Sequence, residues 1–428
     1  MRAEFLNTLG TVVEKLRPQG KRLRFAARAL GPRSLRPLAK KLQVSGRKRL
    51  RASLRWFERQ SRLRLSLAGA AALLALGIGF AAIYGRTIEL YYRAATASAG
   101  RVPVQSEVRR AVQEKAKQLA SALDRRLDKK RGLAGDTWMS ARVLVALREN
   151  DPTYAERINV KVVERYFRSL AGPECACWRV LPDGRYPNHV GVTSWVLRAL
   201  AAYRVPAQAA ELGFLLETQD GDGRWPLYAG AGEERFASSY ATAVAIIALH
   251  EQSILQPDPK LKERLAAAVQ RGAQWLKKHS ASEGARWADY PAWPGADGKF
   301  LGVSGFVLVA LHRVSAESLD ALDRAWLRQL PMDAPPALAS DRSAKTVQVG
   351  RNPYADRTRY YALPWSVLAT VTAYPNASLA GKVGAIGWLE RALAPGASIH
   401  ALSGRERNLA VAAETLLALN GIAGAMHE

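Results

Sequence analysis

The chain has 428 residues, 48% of them hydrophobic, which is enough for a sizeable core. Its formal charge of +26 is not spread over a surface: 19 Lys/Arg against 3 Asp/Glu fall in residues 1–64, 12 against 5 in 86–135, and 136–428 is close to neutral. That distribution excludes a basic face along the large domain, so no nucleic-acid partner is expected, and two cysteines alone cannot close a zinc site.

Residues 1–64 read as short amphipathic helices broken by Pro18, Gly20, Pro32 and Pro37 and dense in arginine. Leu65–Gly85 follows, 21 residues without a charge. A helix of that length can cross the roughly 30 Å hydrocarbon core of a bilayer. The basic excess before it places the N-terminus in the cytoplasm and the C-terminal domain outside. The expectation is a single-pass protein of the cytoplasmic (inner) membrane, in contact with lipid through Leu65–Gly85. Ala97-Ser-Ala99 has the small-x-small form of a signal cleavage site but lies too far beyond the apolar run. Residues 86–104 read as a linker and 105–428 as one large domain.

In that domain, Val108, Val112, Leu119, Leu123 and Leu127 lie four or seven residues apart, along one helical stripe, and predict a helix over 105–131. Cys175 and Cys177 are separated by one alanine; an oxidising compartment would permit a disulfide between them, but a bridge from i to i+2 is strained. Two small residues at a helix end is the plainer reading. Beyond this point a pattern repeats. Apolar helices end at Leu147, Leu200, Leu249, Leu311, Val371 and Leu419, at intervals of 53, 49, 62, 60 and 48 residues. Apolar on every side, they should be buried all round. More amphipathic helices precede them at 153–170, 206–218, 261–279, 316–330 and 378–394. With the 105–131 helix that makes six pairs. The expected fold is all-α: an α/α toroid with an inner ring of apolar helices and an outer ring of amphipathic ones.

The stretch Ala210 to Gln219, followed by Asp220-Gly-Asp-Gly223 and Trp225, resembles the QW motif of squalene and oxidosqualene cyclases, whose repeat fold is shared by protein prenyltransferase β subunits. Gly272 to Trp287 is a second copy without the Gln, and Trp178 to Pro187 a weaker third. The resemblance covers roughly 105–428. It implies the toroid, with Gln219, Gly223, Trp225 and Trp287 as structural bracing and a central cavity that in the family receives an isoprenoid. The family's activities do not carry over. Where the cyclases place their acidic motif this chain has Ser238-Ser-Tyr-Ala-Thr242-Ala243, and the zinc-binding Asp, Cys and His of the prenyltransferases have no counterpart. No cofactor or metal is expected.

The segments leading into the apolar helices carry the candidate site residues. Asp136, His189 and Tyr240 are the candidates for catalysis, although Asp136 directly before Thr137 is also a good helix N-cap. Arg357, Arg359, Tyr360, Arg405 and Arg407 are the candidates for binding an anionic group, since Arg meets phosphate and carboxylate with paired donors. Two functions follow. The first is a membrane-anchored, extracytoplasmic toroid that binds a lipid-linked, glycan or protein ligand in the cell envelope without catalysis. The alternative is an envelope polysaccharide lyase or glycoside hydrolase working in the central cavity: Tyr and His beside an Arg-neutralised carboxylate suit β-elimination, and Asp136 with Asp183 or Asp289 is a possible acid pair for hydrolysis.

Overall fold

Helices that are buried over most of their length alternate with amphipathic ones in a computed structural model of the chain. The structure describes residues 85–97, 101–127, 136–172, 176–180, 188–229, 237–280, 284–289, 301–315, 317–330, 340–342, 345–349, 352–356, 359–400 and 409–427. The chain divides into two compact units, 1–98 and 99–428. Of the first unit the described part is 85–97, helical over 85–96, where Glu89 and Arg93 lie one turn apart.

The described part of the second unit is predominantly helical. Its amphipathic helices are α1 (Ser106–Arg126), the broken pair α3 (Tyr154–Arg157) and α4 (Val160–Ser169), α6 (Ala209–Thr218), α8 (Pro259–Lys278), α10 (Asp320–Gln329) and α12 (Leu379–Leu393). The buried ones are α2 (Thr137–Asn150), α5 (Val190–Ala202), α7 (Ser239–Ser253), α9 (Leu301–Val314), α11 (Ala362–Ala373) and α13 (Leu409–Ala425). Helices occupy each of the positions expected from the hydrophobic pattern, the one over 153–170 in two pieces. The buried helices pack in order: α2 on α5, α5 on α7, α7 on α9, α9 on α11, α11 on α13, and α13 back on α2. The first and last members of the series are therefore neighbours. Strand β1 (Val102–Pro103) pairs in parallel with β6 (Met426–His427), so the two ends of the unit are also tied to each other. Small residues allow the closest approach: a Cβ on Gly305 of α9 would stand 2.7 Å from the carbonyl oxygen of Trp365 in α11.

Three of the turns from an amphipathic helix into a buried one are held by the same device. The indole N–H of Trp225 donates to the Leu215 carbonyl in α6 (2.7 Å), and its backbone N–H donates to the Thr242 hydroxyl in α7 (3.0 Å). Trp287 repeats both bonds, to Leu276 in α8 and Ser304 in α9. Trp178 repeats them again, to Phe167 in α4 and Thr193 in α5. All three rings are fully buried. Gln219 Nε2 donates to the carbonyls of Gly223 and Ala268, tying the turn to the middle of α8, and its oxygen accepts from Arg271. The amide thus staples the turn to the neighbouring helix. In the copy without the Gln, Gln329 from α10 reaches back to the Ala285 carbonyl and accepts from Arg286. Gly223 has φ +100, and a Cβ there would fall 2.4 Å from the Arg271 carbonyl oxygen.

Three expectations need correction. Among the described residues no helix is long and apolar enough to cross a membrane. The described helix nearest the apolar run, 85–96, is short and carries Arg86, Glu89 and Arg93. This corrects the membrane-anchored, single-pass and inner-membrane readings; residues 65–84, on which the expected lipid contact falls, lie outside the described residues, as do 1–64. Second, the segment before α11 is not purely helical. Strand β2 (Ser340–Arg342) pairs antiparallel with β5 (Arg359–Tyr361), and β3 (Lys345–Val349) with β4 (Asn352–Asp356). Both ladders share one register, as in a single hairpin, and β2 and β5 pack on α9. In sequence the two strands are separated by Gly350-Arg351, with glycine first, a pattern that favours a hairpin. Third, Cys177 is not a small free thiol: it is disulfide-bonded and fully buried.

Candidate functional site

Large side chains from all six buried helices meet in a common cluster near the helices' N-terminal ends. Arg142 (α2) forms a buried ion pair with Glu414 (α13), N to O 2.8 Å, which joins the first and last helices of the series. Arg142 also donates to the Tyr240 hydroxyl of α7 (2.5 Å), and Trp195 of α5 donates to the same oxygen (2.7 Å). The indole of Trp365 (α11) donates to the other Glu414 oxygen (2.9 Å). Phe306 (α9) lies between Tyr240 and Trp365, at centroid distances of 5.1 and 4.6 Å. The Arg142 guanidinium sits 4.3 Å from the ring centre of Trp138 and 5.2 Å from that of Trp195, within cation–π range.

A second polar cluster closes the C-terminal ends of four of these helices. Arg198 and Arg313 each bridge Glu149 and Glu251, at 3.1–3.4 Å. Burial works against the Glu149 charge, but Arg313 and Arg198 outweigh it and hold that carboxyl below its ordinary value. Trp195 connects the two clusters, since Arg198 stands 4.5 Å from its ring centre on α5 itself.

The candidate catalytic residues are drawn into this framework as structural parts. Asp136, His189 and Ser238 are the N-caps of α2, α5 and α7, accepting from the backbone N–H of Met139, Val192 and Ala241. Burial raises the Asp136 carboxyl, with the Met139 N–H and Arg142 pulling the other way. His189 packs between Trp138 and Tyr228, at 5.1 and 4.7 Å. Tyr240, His189 and Arg142 thus gather around Trp138, the convergence an eliminating enzyme would need. Yet Arg142 already holds the chain's own carboxylate, and burial raises the Tyr240 hydroxyl and the Glu414 carboxyl. Asp289 is buried and accepts from the Ser238 hydroxyl at 2.7 Å.

Of the anion-binding candidates, Arg359 and Tyr360 lie on β5, which runs directly into α11. Arg357, Arg405 and Arg407 lie outside the described residues, as does Asp183. Among the described residues no group of His, Cys, Asp and Glu could hold a metal ion. Arg142 and Glu414 were not singled out in the sequence, although a signal existed. Glu414 is the single charge of an otherwise apolar helix and Arg142 interrupts the apolar stretch of α2, and buried charges of opposite sign require partners.

The burial of His189 has a measurable consequence. Burial, with Arg142 nearby, pushes its imidazole down to about 3 from the ordinary 6.5. The unfolded chain then binds a proton in a range where the folded chain does not. The stabilisation is complete above about 6.5 and is lost as pH falls towards 3, at up to ~1.4 kcal/mol per pH unit from this one group. Denaturation across that range should show less acid sensitivity in His189→Asn, which keeps a capping oxygen; an unchanged pH profile would contradict the assignment.

No protein-family model matches the chain, and no curated protein matches it.

Proposed function

We propose that residues 105–428 form an α/α toroid that works as a non-catalytic binding scaffold, taking an anionic lipid-linked or glycan ligand at the rim where the buried helices begin. The observation that carries the reading is the Arg142–Glu414 cluster. The groups best suited to catalysis, Arg142, Tyr240 and Glu414, engage one another and are buried beneath aromatic rings. The return of the helix series from α13 to α2, and the repeated tryptophan braces, support the toroid. The rim is supported by sequence and backbone together. β5 leads into α11 and residues 401–408 lead into α13, these two helices pack on each other, and the two leading segments carry Arg357, Arg359, Arg405 and Arg407. Helix N-termini add partial positive charge to such a rim.

A lyase is the second reading, favoured by the meeting of Tyr240, His189 and Arg142. Native mass spectrometry of the purified chain separates the two. Scaffolding predicts a co-purifying phosphate- or carboxylate-bearing compound that is lost in the Arg359→Ala/Arg407→Ala variant, with unsaturated uronate products absent from incubations with acidic polysaccharide. Cyclic products from squalene should also be absent, because Ser238 and Tyr240 cannot serve as strong acids near neutral pH. Retention of the compound by the double variant, or turnover of either substrate, would overturn the proposal.

A further inference from the structure

A cleft of about 240 Å³ runs along the flank of α8, between that helix and the C-terminal ends of α7 and α9. It lies at the opposite end of the buried helices from the Arg142–Glu414 cluster and the proposed rim. We infer that this cleft binds an extended, uncharged stretch of polypeptide with small side chains, and that Gln270 and Gln274 grip its backbone.

The length and width of the cleft follow from α8. The helix lines it from Ala266 to Lys277, about 16 Å at 1.5 Å per residue. An extended chain covers that length in about five residues. A volume of about 240 Å³ drawn out over three helical turns holds a backbone with methyl-sized side chains and leaves no room for large ones. Small apolar residues make the floor: Ala266, Val269 and Ala273 of α8, with Val314 of α9.

The polar lining fits a backbone. Gln270 and Gln274 stand one turn apart, about 6 Å along the helix axis. In an extended chain, alternate residues turn their N–H and C=O to the same side and recur at about 6.6 Å. A glutamine amide carries both donors and an acceptor. Each of the two can therefore meet the N–H and C=O of one alternate residue. Both side chains are exposed, and neither is hydrogen-bonded to another described residue. Gln252 and Gln256, by contrast, are tied to backbone carbonyls of the turn leading into α6. Charge selects an uncharged segment. Lys277 donates to the Glu317 carboxylate (2.6 Å) and the Ser315 hydroxyl (3.0 Å), so the cation and the anion of the lining pair with each other. No Trp, Tyr or Phe lines the cleft, which leaves no ring face for a base or a sugar to stack on.

The test titrates the full chain with a capped alanine–serine pentapeptide, read by saturation-transfer NMR. The same peptide methylated at every backbone nitrogen, and maltotriose, are titrated beside it. The pentapeptide should bind saturably, and the methylated peptide, which has lost its N–H donors, should not. Binding should weaken about tenfold or more in Gln270→Ala/Gln274→Ala, the effect of losing two hydrogen-bonding groups. That variant should melt like the wild type, because both side chains are exposed. Ala266→Leu narrows the floor with both amides in place and should also weaken binding, which gives a second reading if the double variant melts early. Four results would overturn the inference: no saturable binding of the pentapeptide, equal binding of the methylated peptide, equal binding by the two variants, or tighter binding of maltotriose than of the pentapeptide.

Discussion

Trp225→Ala is expected to lower the unfolding free energy of the full chain by about 3–5 kcal/mol, the range for removing a large buried aromatic side chain. The loss has two parts. The fully buried indole leaves a cavity against Gly272, where a Cβ would stand 2.7 Å from the ring, so α8 already sits as close as a glycine permits. The hydrogen bond to the Leu215 carbonyl disappears as well, leaving a buried acceptor without that donor. Trp225→Phe separates the two, since it fills most of the space but cannot donate, and should lose less. Gly223→Ala should also be costly, because φ +100 disfavours any side chain and the Arg271 backbone blocks the Cβ. Denaturant unfolding measures all three. A Trp225→Ala midpoint equal to wild type would show that the turn braces nothing.

Glu414→Ala is expected to be of similar size, about 3–5 kcal/mol, because it strands the Arg142 guanidinium in a buried aromatic cluster. It also removes the acceptor of the Trp365 indole. Removing both charges together is a different experiment. The Arg142→Met/Glu414→Leu pair should fall close to wild-type stability, since well-packed apolar residues replace a buried ion pair at little net cost. A Glu414→Ala variant as stable as wild type would mean that water reaches Arg142.

The helical framework was legible in the sequence because the period of the hydrophobic pattern switches between amphipathic and all-apolar at each pair, and that pattern is local. Leu212 and Leu215 of α6 turn one face inward, whereas Ala241 to Leu249 of α7 are buried without a break. The tryptophan turns were legible through Gly223 and Trp225. Trp178 and Trp287 show that the indole and the hydroxyl one turn into the next helix are the constant parts, and that the Gln is replaceable by Gln329 from elsewhere in the chain. The partners of Arg142 were not legible. Glu414 is 272 residues away, and only the return of α13 to α2 brings them together. The β2–β5 and β3–β4 ladders were missed because Lys345–Val349 and Asn352–Asp356 are short and polar, leaving weak alternation. Asp136 and His189 illustrate a further limit: composition offers them as catalytic groups, whereas backbone geometry makes them caps.

The toroid reading and the scaffold function both rest on contact between the first and last buried helices. A double-mutant cycle on Arg142 and Glu414, using Arg142→Met and Glu414→Gln in the full chain and read by denaturant unfolding, measures that contact directly. The expected result is strong non-additivity, with a coupling energy of about 2–3 kcal/mol, as for buried partners in one network. Effects that add to within about 0.5 kcal/mol, as for independent sites, would contradict it.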